Sequence, residues 1–143
     1  TNDSAGAMTR LTEMGVEPFL VASSVTCVIA QRLLRKICTE CKEEYRPPRA
    51  VLESINIKED VPLYRGRGCP ACRNSGYKGR TGVFEVLIVD DEIRALVVDK
   101  SSSDVIKNVA KARGMLEMKD DAIRKALLGA TTLEEALTTT KAE

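Results

Sequence analysis

Residues 68–89 read GCPACRNSGYKGRTGVFEVLIV, and the two halves of that stretch ask for different structures. The second half, Thr81 to Val89, is β-branched and apolar, bounded by Gly82 and Asp90, and predicts a strand. The first half carries Cys69 and Cys72 in a C-x-x-C turn, with Gly68 before it to permit a tight bend and Pro70 inside it as a stiffener. A second C-x-x-C, Cys38 and Cys41, lies upstream, with 27 residues between the two motifs. Each turn points two thiolates at one spot. Two such turns supply the four tetrahedral ligands of a structural zinc site, with sulfur about 2.3 Å from the metal and no position left for a catalytic water. A rubredoxin-like iron site uses the same ligands and stays open at this point. A disulfide pair suits a reducing compartment poorly, and a thioredoxin-type centre needs only one motif in a βαβ setting.

Around that stretch the pattern is helical. Ala7, Met8, Leu11 and Met14 recur at helical spacing, so Ser4 to Met14 predicts a helix, capped by Asp3 or Ser4 and stopped by Gly15. Pro18 suits the first turn of a second helix running to about Ala30, apolar nearly all round and therefore expected to be buried, with Cys27 on it as a small buried hydrophobe. Arg32 to Ile37 alternates weakly and predicts a short strand leading into Cys38. The middle, Cys38 to Gly82, holds four of the five prolines and all the paired cysteines, and reads as loop-rich, with a helical turn or two over Ala50 to Ile55. After Asp90 the pattern predicts four helices. They are Asp91 to Val98, one capped by Ser102 or Ser103 and stopped by Gly114, one opened by Asp120 and stopped by Gly129, and a last short one. Thr132-Leu133-Glu134-Glu135 reads as a capping box for the last.

Composition narrows the chemistry. A chain of 143 residues is one domain's worth, and with three Tyr, two Phe and no Trp its core must be aliphatic. There is no histidine, which removes Ser-His and Cys-His nucleophile pairs and any imidazole metal ligand. A net charge of +1 gives no global pull toward nucleic acid. The segment Arg65, Arg67, Arg73, Lys78, Arg80 contains no acid and is flanked by Tyr64 and Tyr77. It reads either as an anion or nucleic-acid patch beside a zinc knuckle, or as a solvated loop whose cations pair with Glu43, Glu44 or Asp60. No G-x-x-x-x-G-K-[ST] occurs, so the chain has no phosphate-cradling P-loop of its own. The uncharged run from Pro18 to Ala30 is too short to span a bilayer, and no signal peptide opens the chain. Paired cysteines without a signal point to the cytoplasm, and the opening Thr1-Asn2 reads as an internal cut from a longer protein.

Four segments, TNDSAGAMTRLTEMGVEPFLVASSV, AQRLLRKICTEC, CPACRNSGYKGRTGVFEVL and TTLEEAL, resemble in this order the C-terminal part of bacterial type II secretion assembly ATPases and their type IV pilus assembly relatives. MGVEPFLVASSV with AQRLLRKICTEC looks closest to the secretion branch. The resemblance implies a parent that is a hexameric P-loop motor, peripheral to the cytoplasmic face of the inner membrane. Such a motor works with neighbouring subunits and membrane platform proteins, binding ATP and Mg2+ mainly through residues upstream. It implies an α+β, mainly helical fold: residues 1–37 as the end of a RecA-like ATPase core, 38–82 as a tetracysteine zinc subdomain, and 83–143 as a strand and helical cap. Thr1, Asn2 and Asp3 match the tail of that family's histidine box, and Cys38, Cys41, Cys69 and Cys72 match its zinc ligands. Arg80 matches an arginine near the nucleotide, so the resemblance implies that it offers charge to a phosphate; a structural pair with Glu85 or Asp3 stays open beside it. The chain alone is expected to be a structural and interaction module without ATPase activity. The rival class is a nucleic-acid-binding zinc-ribbon-like domain.

Overall fold

The computed structural model describes residues 3–141, so Thr1 and Asn2 of the box tail lie outside the described residues. Seven α-helices and four strands are present among them, a mixed α/β architecture. Contacts group the chain into two compact units that alternate along the sequence. One takes the chain up to Gln31 with Phe84–Met118, and the other takes Arg32–Val83 with Lys119–Lys141. The long strands β1 (Cys27–Ile37) and β4 (Tyr77–Ile88) pair in a two-stranded sheet, and each contributes residues to both units. No helix among the described residues is long and apolar enough to cross a membrane.

The first unit is built on α1 (Ser4–Glu13), α2 (Pro18–Ser24), α4 (Asp91–Val98) and α5 (Ser103–Ala112). Each start is chemically marked. The Asp3 carboxylate accepts from Gly6 N, Asp90 from Ile93 N and Ser102 from Val105 N, each answering one orphan N–H of a helix terminus. The core joins Ala5 and Met8 of α1, Val21 and Ala22 of α2, Leu87 and Val89, Ile93 and Val97 of α4, and Ile106 and Ala110 of α5. Full burial of a side chain such as Met8 or Ile106 stabilises by about 1.5–3 kcal/mol.

One buried position in this unit is not apolar. Strand β4 alternates, with Glu85 and Leu87 inward and Phe84, Val86 and Ile88 outward, so Glu85 points into the core and is only 2% exposed. Its Oε1 accepts from Ser4 N at 3.0 Å and Ser4 Oγ at 2.6 Å, and its Oε2 accepts from Met118 N at 3.1 Å. Ser4 and Met118 are the first residues of α1 and of α6 (Met118–Leu127), so one carboxylate caps two helices.

The second unit carries β2 (Lys42–Tyr45), antiparallel to β3 (Leu63–Gly66), with α3 (Arg49–Ser54), most of α6, and α7 (Leu133–Thr139). Its apolar centre is Ile55, Leu63 and Leu133, surrounded by Tyr45, Val51, Ile57, Ile123, Leu127 and Leu137. Helix α7 is held by a polar network. Glu135 Oε2 accepts from Arg35 N at 2.8 Å and Nε at 3.2 Å, and its Oε1 from Arg35 Nη2 at 3.0 Å. The guanidinium of Arg35 stacks 4.1 Å from the Tyr77 ring centroid, and the Tyr77 hydroxyl lies 2.7 Å from Thr132 Oγ1. Thr132 caps α7 by accepting from Glu135 N. Burial works to raise the Glu135 carboxyl, but the Arg35 bonds outweigh it and hold it below the usual carboxylate range.

Several expectations are corrected. The second helix ends at Ser24 rather than near Ala30, because Val25 turns extended and the chain from Cys27 on, with β-branched Val28 and Ile29, pairs as β1 against β4. Cys27 therefore opens a strand and is exposed, not a buried hydrophobe. Nor is that helix buried all round: Val21 and Ala22 are inside, but Phe19 is 63% and Leu20 51% exposed, since seven residues pack one face only. Helix α6 begins at Met118 instead of Asp120, where the distant Glu85 carboxylate supplies the cap. Strand β4 starts at Tyr77, not Thr81, because pairing with β1 extends it through a glycine-containing stretch; Arg80 thus sits in the strand rather than in a loop. The capping box is half realised: Thr132 caps, while the Glu135 carboxylate goes to Arg35.

Replacing Glu85 by Ala strands three donors and is expected to lower the unfolding free energy by about 2–3 kcal/mol in urea titrations. Glu85→Gln, which keeps one accepting oxygen, should cost less; equal stability of the Ala variant and wild type contradicts the clamp. The lowered Glu135 carboxyl contributes stability that is fully present above the unfolded carboxylate value of about 4.3 and is lost as pH falls through the folded value. Glu135→Gln should therefore destabilise the chain near neutral pH, with the difference shrinking on acidification below about pH 4.

Candidate metal centre

The first cysteine pair sits where β1 runs out. Cys38 follows Ile37, residues 39–41 form a turn, and β2 begins at Lys42. The second pair frames a 3-10 helix, Pro70–Cys72, with Cys69 at its N-cap. Proline suits that first helical position because its missing N–H is unneeded there. The chain leaves the turn through Arg73 and Asn74, both left-handed, so that Asn74 N reaches Cys69 O at 2.9 Å and Ser75 N reaches Cys72 O at 3.2 Å.

Backbone contacts bring the two turns together. Cys38 N donates to Gly76 O at 2.9 Å, Arg67 N donates to Cys41 O at 3.1 Å, and Gly68 N donates to Cys41 Sγ at 3.3 Å. The loop closes where Gly66 meets Gly76. A Cβ built on Gly66 would lie 2.2 Å from Gly76 O, closer than any side chain allows. Gly76 also holds φ +82°, in the left-handed region that glycine tolerates.

The four sulfurs lie within 4.8 Å of one another. Cys38 to Cys69 is 3.7 Å, Cys41 to Cys72 is 3.8 Å, and Cys69 to Cys72 is 3.7 Å. A tetrahedron of sulfurs about 2.3 Å from a central ion has edges of about 3.8 Å, so these donors fit a tetrathiolate metal site. Cys38 is fully buried, Cys72 and Cys41 are 6% and 8% exposed, and Cys69 is half-buried. Burial pushes the Cys41 thiol up, to about 11, against the Gly68 donor. Burial acts in the same sense on Cys72, but N–H donors from Cys69 and Gly76, with the neighbouring thiols, outweigh it and bring it down to about 6. Four thiolates at this spacing repel one another, so full ionisation needs a cation among them.

The basic segment divides. Arg65 Nε pairs with Glu43 Oε1 at 2.9 Å and its guanidinium stacks on Tyr45, while Arg67 reaches Glu43 Oε2 at 3.7 Å. Asp60 is taken by Arg49. Arg73, Lys78 and Arg80 are exposed. The two acids considered as structural partners for Arg80 are engaged elsewhere: Glu85 caps two helices, and Asp3 accepts from Gly6 N and pairs with Lys107. The Gly66–Gly76 contact, the N–H donors to sulfur, and the Glu85 and Glu135 anchors went unread in the sequence. Only Glu85 left a trace there, as a lone acid inside the apolar run VFEVLIV.

The family model for type II/IV secretion system proteins matches residues 1–138. The chain is 45% identical, over 98% of its length, to the type IV pilus assembly ATPase PilB of Thermus thermophilus, covering 16% of that protein. It is 43% identical over its full length to the type II secretion system protein E of Pseudomonas aeruginosa, covering 29% of it. It is 41% identical over 99% of its length to the type II secretion system ATPase E of Vibrio cholerae, covering 28% of it. The chain thus spans between 16% and 29% of the length of these curated relatives.

Elemental analysis of the purified chain is expected to find about one zinc per molecule. Cys38→Ser or Cys69→Ser should lose the metal, whereas Cys27→Ala, on an exposed cysteine outside the cluster, should retain it. Chelation should unfold the segment around the two turns, because binding a structural metal is itself folding free energy. Full metal occupancy after Cys69→Ser contradicts this ligand set.

Proposed function

Because this chain belongs to the type II/IV secretion system protein family, we propose that it is the C-terminal part of a hexameric P-loop motor ATPase that drives type II secretion or type IV pilus assembly. The observation that carries the reading is the match over residues 1–138, together with relatives named as secretion and pilus assembly ATPases that align with nearly the whole chain. The chain completes a RecA-like core whose nucleotide-binding loop lies in other parts of the protein. Cys38, Cys41, Cys69 and Cys72 hold one structural Zn2+. The sulfur spacing supports this, and four protein ligands leave the metal no open position for catalysis. Zinc suits such a site better than iron because its role is to fix the loop, not to carry electrons.

In this reading Arg80 faces the nucleotide of the assembled motor. Its support is that the side chain is exposed on a strand while Glu85 and Asp3 are engaged by other groups. A guanidinium stays charged and grips phosphate oxygens with two parallel hydrogen bonds. The motor works at the cytoplasmic face of the bacterial inner membrane, with its own neighbouring subunits and membrane platform proteins as partners. The nucleic-acid alternative has less support, since Arg65 and Arg67 are already engaged by Glu43 and Tyr45.

The longer protein containing this chain is expected to hydrolyse ATP, whereas the 143-residue chain, with no phosphate cradle, should not. In the longer protein Arg80→Ala should lower turnover by roughly tenfold to a thousandfold, with zinc content and melting temperature unchanged. Arg80→Lys should recover only part, for want of the fork geometry. No turnover in the longer protein removes the motor reading; unchanged turnover in Arg80→Ala removes Arg80 from the site.

A further inference from the structure

The four sulfurs are chemically unequal. Cys38 is fully buried, Cys41 and Cys72 are less than a tenth exposed, and Cys69 is the most open of the four, being only partly buried. Backbone N–H groups reach the sulfurs unevenly: Gly68 N donates to Cys41, and Cys69 N and Gly76 N to Cys72. Each such bond draws electron density from the sulfur it reaches. Of the cations in the run around Cys69, Arg65 and Arg67 are paired with Glu43, so what sets Cys69 apart is its access to solvent, which a small oxidant needs to reach a sulfur.

We propose that Cys69 is a modification site for small oxidants, the sulfur through which a peroxide opens the metal centre. The inference rests on the zinc reading above. In the first step the Cys69 thiolate attacks the peroxide: an S–O bond forms, the O–O bond breaks, and hydroxide leaves, giving a sulfenic acid. In the second step the Cys72 thiolate attacks the Cys69 sulfur: an S–S bond forms, the S–O bond breaks, and a second hydroxide leaves. The two sulfurs together lose two electrons and the peroxide gains them.

Cys72 is the resolving thiol because it lies 3.7 Å away in the same 3-10 turn. Closing to the bonded distance of about 2.0 Å takes side-chain rotation within one turn rather than movement of two chain segments. Two of the four donors are then lost and the metal leaves. The loop that the metal fixed is released with it, so the centre acts as a strut that an oxidant can remove and a thiol reductant with added zinc can restore.

The test uses the full chain carrying Cys27→Ala, which removes the exposed cysteine outside the cluster. Its metal content is measured first. Hydrogen peroxide is then added in steps, with a colorimetric chelator reading released zinc and dimedone trapping sulfenic acids for peptide mass spectrometry. Trapped adduct is expected on Cys69 about tenfold ahead of Cys38, Cys41 or Cys72. Without dimedone, a Cys69–Cys72 disulfide should accumulate in step with release of one zinc per chain. Metal present but adduct first on Cys38, Cys41 or Cys72, or spread evenly, overturns this inference and leaves the zinc reading standing. A chain isolated without metal overturns the zinc reading, and this inference falls with it. Zinc release that runs ahead of any change at Cys69 also overturns it.

Discussion

The four-cysteine cluster depends on one backbone contact. Gly66 and Gly76 meet so closely that neither carries room for a side chain, and the nine-residue excursion between them carries Cys69 and Cys72. The same closure leaves Gly76 O free to accept from Cys38 N, and aims Arg67 N and Gly68 N at Cys41. The two cysteine turns are therefore registered by the main chain itself. A metal drawn to four sulfurs in a flexible loop would have to order that loop against its conformational entropy. Here part of that cost is already met by hydrogen bonds and by glycine geometry.

Two buried carboxylates do for the helices what the glycines do for the cysteine loop. Glu85 reaches the first N–H of α1 and of α6, and Glu135 holds the backbone and guanidinium of Arg35 from α7. In each case a charge is buried because it terminates several donors at once; buried singly, it would cost several kcal/mol, on the order of an unpaired ion. Fixed acceptors of this kind join segments far apart in sequence, Ser4 with Glu85 and Arg35 with Glu135, without needing a large aromatic core. That suits a chain with five aromatic residues and an aliphatic interior.

Cys38, Cys41, Cys72, Glu85 and Glu135 are all buried, and no buried side-chain polar atom among the described residues lacks a partner. Arg80, by contrast, is exposed on strand β4.

The family, the four cysteines and most helix ends were legible in the sequence, because each rests on local chemistry. C-x-x-C spacing fixes two thiols in one turn, and Asp90 and Ser102 answer N–H groups three residues on. Helix α4 matches its reading residue for residue. The departures all lie where a distant partner decides. The run from Val25 to Ala30 is apolar enough for either helix or strand, and pairing with β4 chose strand, which turned Cys27 outward. Helix α6 starts early because a carboxylate 33 residues away caps it, and the Glu135 of an expected capping box was claimed by Arg35, 100 residues off. Spacing along the chain determined which cysteines can act together; only the folded chain decided that Cys69 is the least buried of the four, because exposure is set by what packs over a residue and not by its neighbours in sequence.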